Sequence, residues 1–362
     1  MSLTTEEKRQ YNRHLILKEI GAAGQLKLKQ SKVLIIGAGG LGAPILQYLT
    51  AAGVGTIGII DHDIIDQSNL QRQVLYAHSD IGQSKVNTAI SRLSSLNPFI
   101  SFNGYNELLT KDNAIKIFQS YDIIVDGSDN FPTRYLVNDA AVLTNKPLVF
   151  GSIYKFEGQV TVFNYQNGPT YRCLFPTPPA PGEVPNCSEI GVLGVLPGLI
   201  GSLQANETIK IITGIGDVLS GKLLTYNTLS LTQVILTFKK NTTLKILELE
   251  KDYDYFCGIF ENTDDMRYAE IDYTDIKEQL DQYFLIDVRE DWERLEGHLG
   301  GIHIPVHEIP ERLNEINTEL PVVVYCQSGK RGKTATLLLS DIAPQFKTYN
   351  LTGGLNAIEV SN

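Results

Sequence analysis

Apolar positions along this chain follow two alternating rhythms. Val33–Ile36 is an unbroken apolar run, Ala43–Ala52 repeats its apolar residues at helical spacing, and Thr56–Ile60 is a second short run that ends on Asp61. Short apolar runs bounded by glycine read as strands covered on both faces, and spacings of three and four as a helix. Strand, glycine turn, helix and strand succeed one another without a break, so Val33–Asp61 forms one βαβ unit. The rhythm continues with a helix over Lys85–Leu96 that stops at Asn97-Pro98. A strand at Phe99–Phe102, a helix at Lys111–Ser120, a buried strand at Tyr121–Val125, a helix at Phe131–Leu143 and a strand at Leu148–Gly151 come next. Gly158–Phe163 alternates in the antiparallel manner, Val195–Thr213 is a helix with one apolar face, and Leu223–Phe238 supplies two further strands. Before all of these, residues 5–30 read as helical with an interruption at Gly21.

Past Lys239 the pattern loosens and charge rises, and the aromatic run around Tyr253 and Tyr255 breaks the periodicity. This places one domain at 1–258, a linker at 259–268 around Asn262-Thr263-Asp264-Asp265, and a second domain at 269–362. The second restarts an α/β rhythm: helix Tyr273–Tyr283, strand Phe284–Val288, strand Pro321–Tyr325, helix Gly332–Ile342. The fold class is α/β, a Rossmann-like domain with a mixed sheet followed by a smaller α/β domain.

Composition narrows the function by exclusion. The 362 residues are 43% hydrophobic and 20% charged, with a formal charge of −10, a poor basis for binding nucleic acid through its phosphates. No apolar run reaches the roughly 20 residues of a bilayer crossing. The polar N-terminus reads as lacking a secretory leader, and four widely separated cysteines read as free thiols of a cytoplasmic protein.

Gly37, Gly39, Gly40 and Gly42 let the backbone approach a phosphate, and the helix that follows offers its N-terminus to an anion. Asp61 at the next strand tip is placed for ribose hydroxyls. Asp63 and the run Ser68-Asn69-Leu70-Gln71-Arg72 form a loop beside the strand tips, and Arg72 and Lys85 are either phosphate-binding cations or ordinary surface charges. Asp126 and Asp129, in Asp126-Gly127-Ser128-Asp129-Asn130, suit either a Mg²⁺ ligand beside a triphosphate or the cap of the following helix. Thr170–Pro185 is a proline-rich loop that leads to Cys187. That thiol, at a loop-to-helix junction, is either nucleophilic or simply buried. Cys326 starts the loop Cys326-Gln327-Ser328-Gly329-Lys330-Arg331 at a strand tip before a helix. There, inward N–H groups, the helix N-terminus and two cations favour a thiolate or a bound anion.

Arg13 in Tyr-Asn-Arg-His, Ser68 to Gln73, Gly82-x-x-Lys85, Asp126-x-x-Asp129-Asn130 and Cys187-x-Glu189-x-Gly191 recur in this order. Together they closely resemble the MoeB/ThiF family, bacterial relatives of ubiquitin-activating enzymes, over residues 5–258. The resemblance implies a cytoplasmic homodimer that uses ATP and Mg²⁺ to adenylate the C-terminal Gly-Gly of a ubiquitin-like sulfur carrier of the MoaD or ThiS type. It implies that Gly40 faces the phosphates, that Asp61 takes the ribose, and that Asn69, Arg72 and Lys85 hold the triphosphate. Asp129 would hold the metal, Arg13 would enter the neighbouring subunit's site, and Cys187 would handle the activated carboxylate. Residues 269–362 resemble a rhodanese domain through Asp287-Val288-Arg289, the Cys326 loop and Gly353-Gly354. Cys326 would then carry a persulfide supplied by a cysteine desulfurase or by thiosulfate, for molybdopterin, thiamin or tRNA-thiolation synthesis.

Two departures stand out. The family's two Cys-x-x-Cys pairs for structural zinc are here Thr170/Cys173 and Asp254/Cys257, so no stable zinc is expected, and Tyr171, Tyr253, Tyr255 and Phe256 are expected to pack that corner instead. Past Gly353-Gly354, Ile358 and Val360 stand where rhodanese domains carry an aromatic-bearing helix. This leaves adenylation with an inert second domain as the alternative. The more distant rivals are a nicotinamide oxidoreductase and a non-catalytic scaffold.

Overall fold

Before the first strand the chain folds as three short helices, α1 (Thr5–Gln10), α2 (Asn12–Leu15) and α3 (Gly21–Gln30), rather than as one interrupted helix. Thr4 and Glu7 close a capping box on α1. Tyr11 ends α1 by turning inward, where its hydroxyl accepts from Asn97 Nδ2 at 2.8 Å. The computed structural model describes residues 2–179, 191–257, 269–316 and 319–359. The chain divides into two units, Met1–Phe260 and Glu261–Asn362; the expected linker, 259–268, lies outside the described residues.

The first unit is built on an eight-stranded sheet of order β3-β2-β1-β4-β5-β6-β7-β8. Parallel pairing joins β1 (Lys32–Ile36), β2 (Thr56–Ile60), β3 (Ser101–Tyr105), β4 (Ile123–Asp126) and β5 (Leu148–Tyr154). The strands β6 (Glu157–Phe163), β7 (Lys222–Asn227) and β8 (Thr232–Thr237) continue it antiparallel. The sheet is therefore mixed, as the alternation at Gly158–Phe163 indicates. Strand β3 starts two residues later than expected. The wholly buried Asn97 donates to Thr50 O at 2.7 Å and accepts from Phe99 N at 3.2 Å, which holds 97–100 as a turn.

Helices α4 (Gly42–Ala52), α5 (Lys85–Leu96), α6 (Lys111–Gln119) and α7 (Phe131–Leu143) connect the parallel strands. A single turn, α8 (Tyr171–Leu174), is followed by the 19-residue α9 (Val195–Thr213), which packs on α4 and on β5 and β6; α10 (Tyr253–Phe256) ends the described part of the unit. One core, around Val33, Ile35, Leu46 and Ile200, lies on one side of the sheet. A second, around Leu34, Phe118, Tyr135 and Phe150, lies on the other.

The second unit is a five-stranded parallel sheet of order β11-β10-β12-β13-β9. Its strands are β9 (Ala269–Ile271), β10 (Phe284–Asp287), β11 (Ile302–His303), β12 (Val322–Tyr325) and β13 (Thr348–Leu351), with helices α11 (Tyr273–Ile276), α12 (Asp291–Leu295), α13 (Lys330–Ile342) and α14 (Asn356–Glu359). The helix expected to reach Tyr283 stops early because Gln279 leaves helical torsions and a 3₁₀ turn feeds β10. Helix α13 begins two residues ahead of expectation, just after Gly329 at φ 83°.

Candidate active site

Strand β1 ends at Ile36, and Gly37 turns the chain at φ 86°. A Cβ on Gly42 would stand 2.0 Å from Gly37 O, so the turn closes only without side chains there. Helix α4 starts with no side-chain cap, which leaves its positive end for another partner. Asp61 is tied to this turn: its Oδ2 accepts from Ala38 N and its Oδ1 from Asp63 N, both at 2.8 Å.

The loop after β2 is braced before any ligand arrives. Asp66 accepts from Ser68 N at 2.8 Å and from Ser68 Oγ at 2.6 Å, and those bonds draw its carboxyl below the usual range. Asn69 Oδ1 accepts from Asp66 N at 3.2 Å. Arg72 donates to Ser68 O at 3.2 Å, and its stem runs beside Gly40, where an added Cβ would lie 3.6 Å from Arg72 Cγ. Lys85, only 5% exposed, pairs with Asp63 at 2.7 Å. Gln71 donates to Val192 O at 3.4 Å, and Leu70 contributes packing against the core. Past β4, Asp129 is exposed and makes no hydrogen bond among the described residues, whereas Asn130 caps α7 through Thr133 N at 3.0 Å. The cap expected of an aspartate therefore falls to Asn130, and Asp129 is left exposed.

Three buried polar atoms around this turn lack partners among the described residues: Asp126 Oδ2, Ser128 Oγ and Gln73 Oε1. Burial pushes the Asp126 carboxyl up. Ser128 N lies 3.7 Å from a Cβ built on Gly37, and Gln73 Nε2 3.5 Å from one on Gly39. Native interiors seldom leave such atoms unpaired, and Ser128 and Gln73 both flank the glycine turn. Gln73 was not expected here, although it closes the same polar run as Arg72.

Arg13 is exposed on α2, and this segment packs at the far end of α4. Tyr11 lies against Gly53, and Gln25, 3.0 Å from His14, donates to Ala52 O. The 11 residues of α4 separate that end from the glycine turn, roughly 16 Å at the helical rise. Arg13 therefore does not join the site of its own chain. Cys187 lies outside the described residues.

In the second unit Cys326 is fully buried at the tip of β12, and its Sγ accepts from Gly332 N at 3.4 Å. The Gly353-Gly354 turn closes over the loop, since Leu355 N and Asn356 N donate to Cys326 O and Gln327 O, both at 2.9 Å. Gln327 also accepts from Arg289 at 3.2 Å, and Arg289 is clamped on Asp287. Arg331, one of the loop's two cations, is held by Glu293 through two bonds of 2.6 Å. Ser328 is exposed, and Gly329 supplies the left-handed turn that starts α13.

A model of the ThiF family matches residues 11–245, and one of the rhodanese-like domain matches 272–360. The chain belongs to the ThiF family. Its C-terminal unit is a rhodanese-like domain. Among curated proteins, it is 45% identical to "Probable adenylyltransferase/sulfurtransferase MoeZ" of Mycobacterium tuberculosis, covering 98% of this chain and 94% of that one. It is 50% identical to the sulfur carrier protein adenylyltransferase of Thermus thermophilus, over 72% of this chain and all of that one. Adenylyltransferase and sulfurtransferase MOCS3 of Drosophila yakuba is 40% identical, over 98% and 83%. Among solved structures, E. coli MccB shares the fold at a TM-score of 0.60 and 22% identity, covering 67% of this chain and 75% of that one.

As a ThiF-family chain, this one closes the corner near its end without a four-donor set. Among the described residues, Cys173, Asp254 and Cys257 do not assemble as a three-donor group. Burial, with Asp254 adding to it, pushes the Cys257 thiol up to about 12. Cys173 Sγ is satisfied by Thr170 N at 3.4 Å and Asn241 N at 3.3 Å. The donors do not fit tetrahedral zinc. The centre of the corner is Arg172, which no motif singled out. It donates to both oxygens of Asp139, at 2.8 and 2.6 Å, and to Glu250 at 3.1 Å. Its guanidinium lies 4.5 Å from the Phe256 ring centre and 5.1 Å from that of Tyr135. Tyr253 donates to Asp139 at 2.8 Å, and Tyr171 stacks edge-on against Tyr135. Tyr255, expected in this packing, is 69% exposed: it lies on the outer side of the turn that buries Tyr253.

Proposed function

We propose that this chain adenylates the C-terminal glycine of a ubiquitin-like sulfur carrier and then converts it to a thiocarboxylate. The observation that carries the reading is the glycine turn bordered by Asp61, Arg72 and Lys85, on a chain that also presents Cys326 at a rhodanese-type loop. The carrier's carboxylate, already ionised, attacks the α-phosphorus of ATP; an acyl–phosphate bond forms and pyrophosphate leaves. Gly40 and the first turn of α4 face the phosphates, Asp61 takes the ribose, and Asn69, Arg72 and Lys85 hold the triphosphate. These residues position the reactants and neutralise charge. Lys85 exchanges Asp63 for a phosphate on binding. Asp129 would hold Mg²⁺, which when bound offsets the charge of the phosphates.

Arg13, stranded at the far end of α4, supports a homodimer in which each copy completes its partner's site. A terminal persulfide on Cys326, loaded by a cysteine desulfurase or thiosulfate, attacks the activated carbonyl and expels AMP. Cys187 then attacks Cys326 Sγ, which releases the thiocarboxylate and leaves a disulfide for a small thiol to reduce. The product would serve molybdopterin, thiamin or tRNA-thiolation synthesis. No described helix is long and apolar enough to cross a membrane; the use of ATP and reduced thiols supports a cytoplasmic setting. The arginine-centred corner takes the place of structural zinc.

The test is carrier-dependent exchange of labelled pyrophosphate into ATP, followed by thiocarboxylate mass on the carrier. Exchange without thiocarboxylate, unchanged in Cys326→Ala, would favour adenylation alone. No exchange with any Gly-Gly carrier would end the reading.

A further inference from the structure

Around Cys326 three described arginines share two carboxylates. Arg289 is clamped on Asp287, Arg294 stands 3.6 Å from the same Asp287, and Arg331 gives both terminal nitrogens to Glu293. Glu293 is not a floppy surface acid. Its Oε2 also accepts from Glu290 N at 3.0 Å, and its side chain is only 12% exposed. A bidentate, partly desolvated guanidinium–carboxylate pair is among the stronger polar contacts a protein makes. Arg331 sits in the first turn of α13, whose Gly332 N–H reaches the sulfur, and its charge is near enough to Cys326 for the two to interact. Glu293 both occupies that cation and sets a negative charge beside the loop.

We propose that Glu293 is a specificity-determining residue of the rhodanese-like unit: by holding Arg331, it discriminates against sulfur donors that carry a sulfonate or carboxylate next to the transferred sulfur. This rests on the sulfur-transfer reading above. With thiosulfate, the Cys326 thiolate attacks the outer sulfur, a new S–S bond forms, the old one breaks, and sulfite leaves with the electron pair. To hold that dianion, Arg331 must abandon Glu293, whose charge then opposes the donor. A persulfide donor undergoes the same exchange and releases a thiolate, with no sulfonate to accommodate.

The experiment compares the full-length protein with Glu293→Gln, Glu293→Asp and Glu293→Gln/Arg331→Gln. Two readouts are taken: KM for thiosulfate in sulfur transfer to cyanide, and the ratio of Cys326 alkylation rates by iodoacetate and iodoacetamide, followed by mass spectrometry. Glu293→Gln lowers KM and raises the iodoacetate-to-iodoacetamide ratio about tenfold, the scale of one hydrogen bond to a charged group. Glu293→Asp, too short to keep both bonds, moves the same way by less, and the double variant loses the gain. Pyrophosphate exchange, carried by the first unit, stays unchanged throughout, and the second unit's melting transition reports its integrity. An unchanged ratio in Glu293→Gln and Glu293→Asp overturns the proposal. A raised ratio without sulfur transfer by any variant leaves the role of Glu293 standing and removes the sulfur-transfer reading instead. Should Glu293→Gln fail to fold, Glu293→Asp decides by the same ratio.

Discussion

Arg172→Met tests whether a salt bridge and two rings hold the corner around Asp139 closed. The arginine side chain is 9% exposed and its partner Asp139 is 1% exposed. Among the described residues, removing the cation leaves a buried carboxylate with only Asn138 Nδ2 at 2.9 Å and the Tyr253 hydroxyl at 2.8 Å to satisfy it. Breaking a buried pair from one side costs about 3–5 kcal/mol, because the remaining charge stays desolvated. Loss of the cation from the Tyr135 and Phe256 faces adds about 0.5–1 kcal/mol each. For a unit of this size, about 2–4 °C of melting temperature accompanies each kcal/mol, so the first transition should fall by roughly 8–28 °C. Calorimetry of the full chain measures this, with a chelator arm in which the unmodified protein keeps its transition. Adding Asp139→Asn to Arg172→Met removes the orphaned charge and should recover about half of the loss or more, since partners in one network are not additive. A fall below about 2 °C, no recovery in the double variant, or a chelator-sensitive transition would refute the reasoning.

Lys85→Ala should cut carrier-dependent pyrophosphate exchange about 10²–10³-fold while leaving melting almost unchanged, since the cation serves the transition state; an unaltered rate would remove Lys85 from the site. Gly42→Ala places a methyl 2.0 Å from Gly37 O, so nucleotide binding in a fluorescence titration should vanish even where the chain still folds. Acid should act on Glu293 with a definite sign. Burial alone would raise its carboxyl, but the Arg331 and Glu290 bonds outweigh that and lower it. The pair's contribution to stability is therefore complete above the ordinary glutamate range, about pH 4.5, and fades as pH drops through the lowered value. The second unit's melting temperature should fall with acid in that window, and less so in Glu293→Gln.

Much of this architecture could be read from the chain because it depends on local rules. A β-branched run, a glycine turn and an acid at the next strand tip specify a βαβ unit almost by themselves, and Lys85–Leu96, Phe131–Leu143 and Val195–Thr213 appear with the bounds their periodicity gives. The misplacements came from contacts distant in sequence. Strand β3 shifted because Asn97 answers to Thr50 and Tyr11, and the N-terminal helix broke because Tyr11 belongs to the core. The same holds at the site. From type and spacing Arg72 and Lys85 read equally as phosphate cations or surface charges, and that Arg331 is already spoken for depends on a glutamate 38 positions upstream. Arg172 was silent for the same reason: its partners Asp139 and Glu250 lie 33 and 78 positions away.

The separation of Arg13 from the glycine turn by the length of α4 has a genetic consequence. If each pocket borrows its arginine, a protomer lacking Arg13 still owns a sound pocket, and one lacking Lys85 still owns a sound arginine. Two dead preparations, Arg13→Ala and Lys85→Ala, should then revive each other once their subunits are shuffled. Half the reassembled pairs would be hybrids with one working pocket of two, or roughly a quarter of full turnover under random twofold pairing.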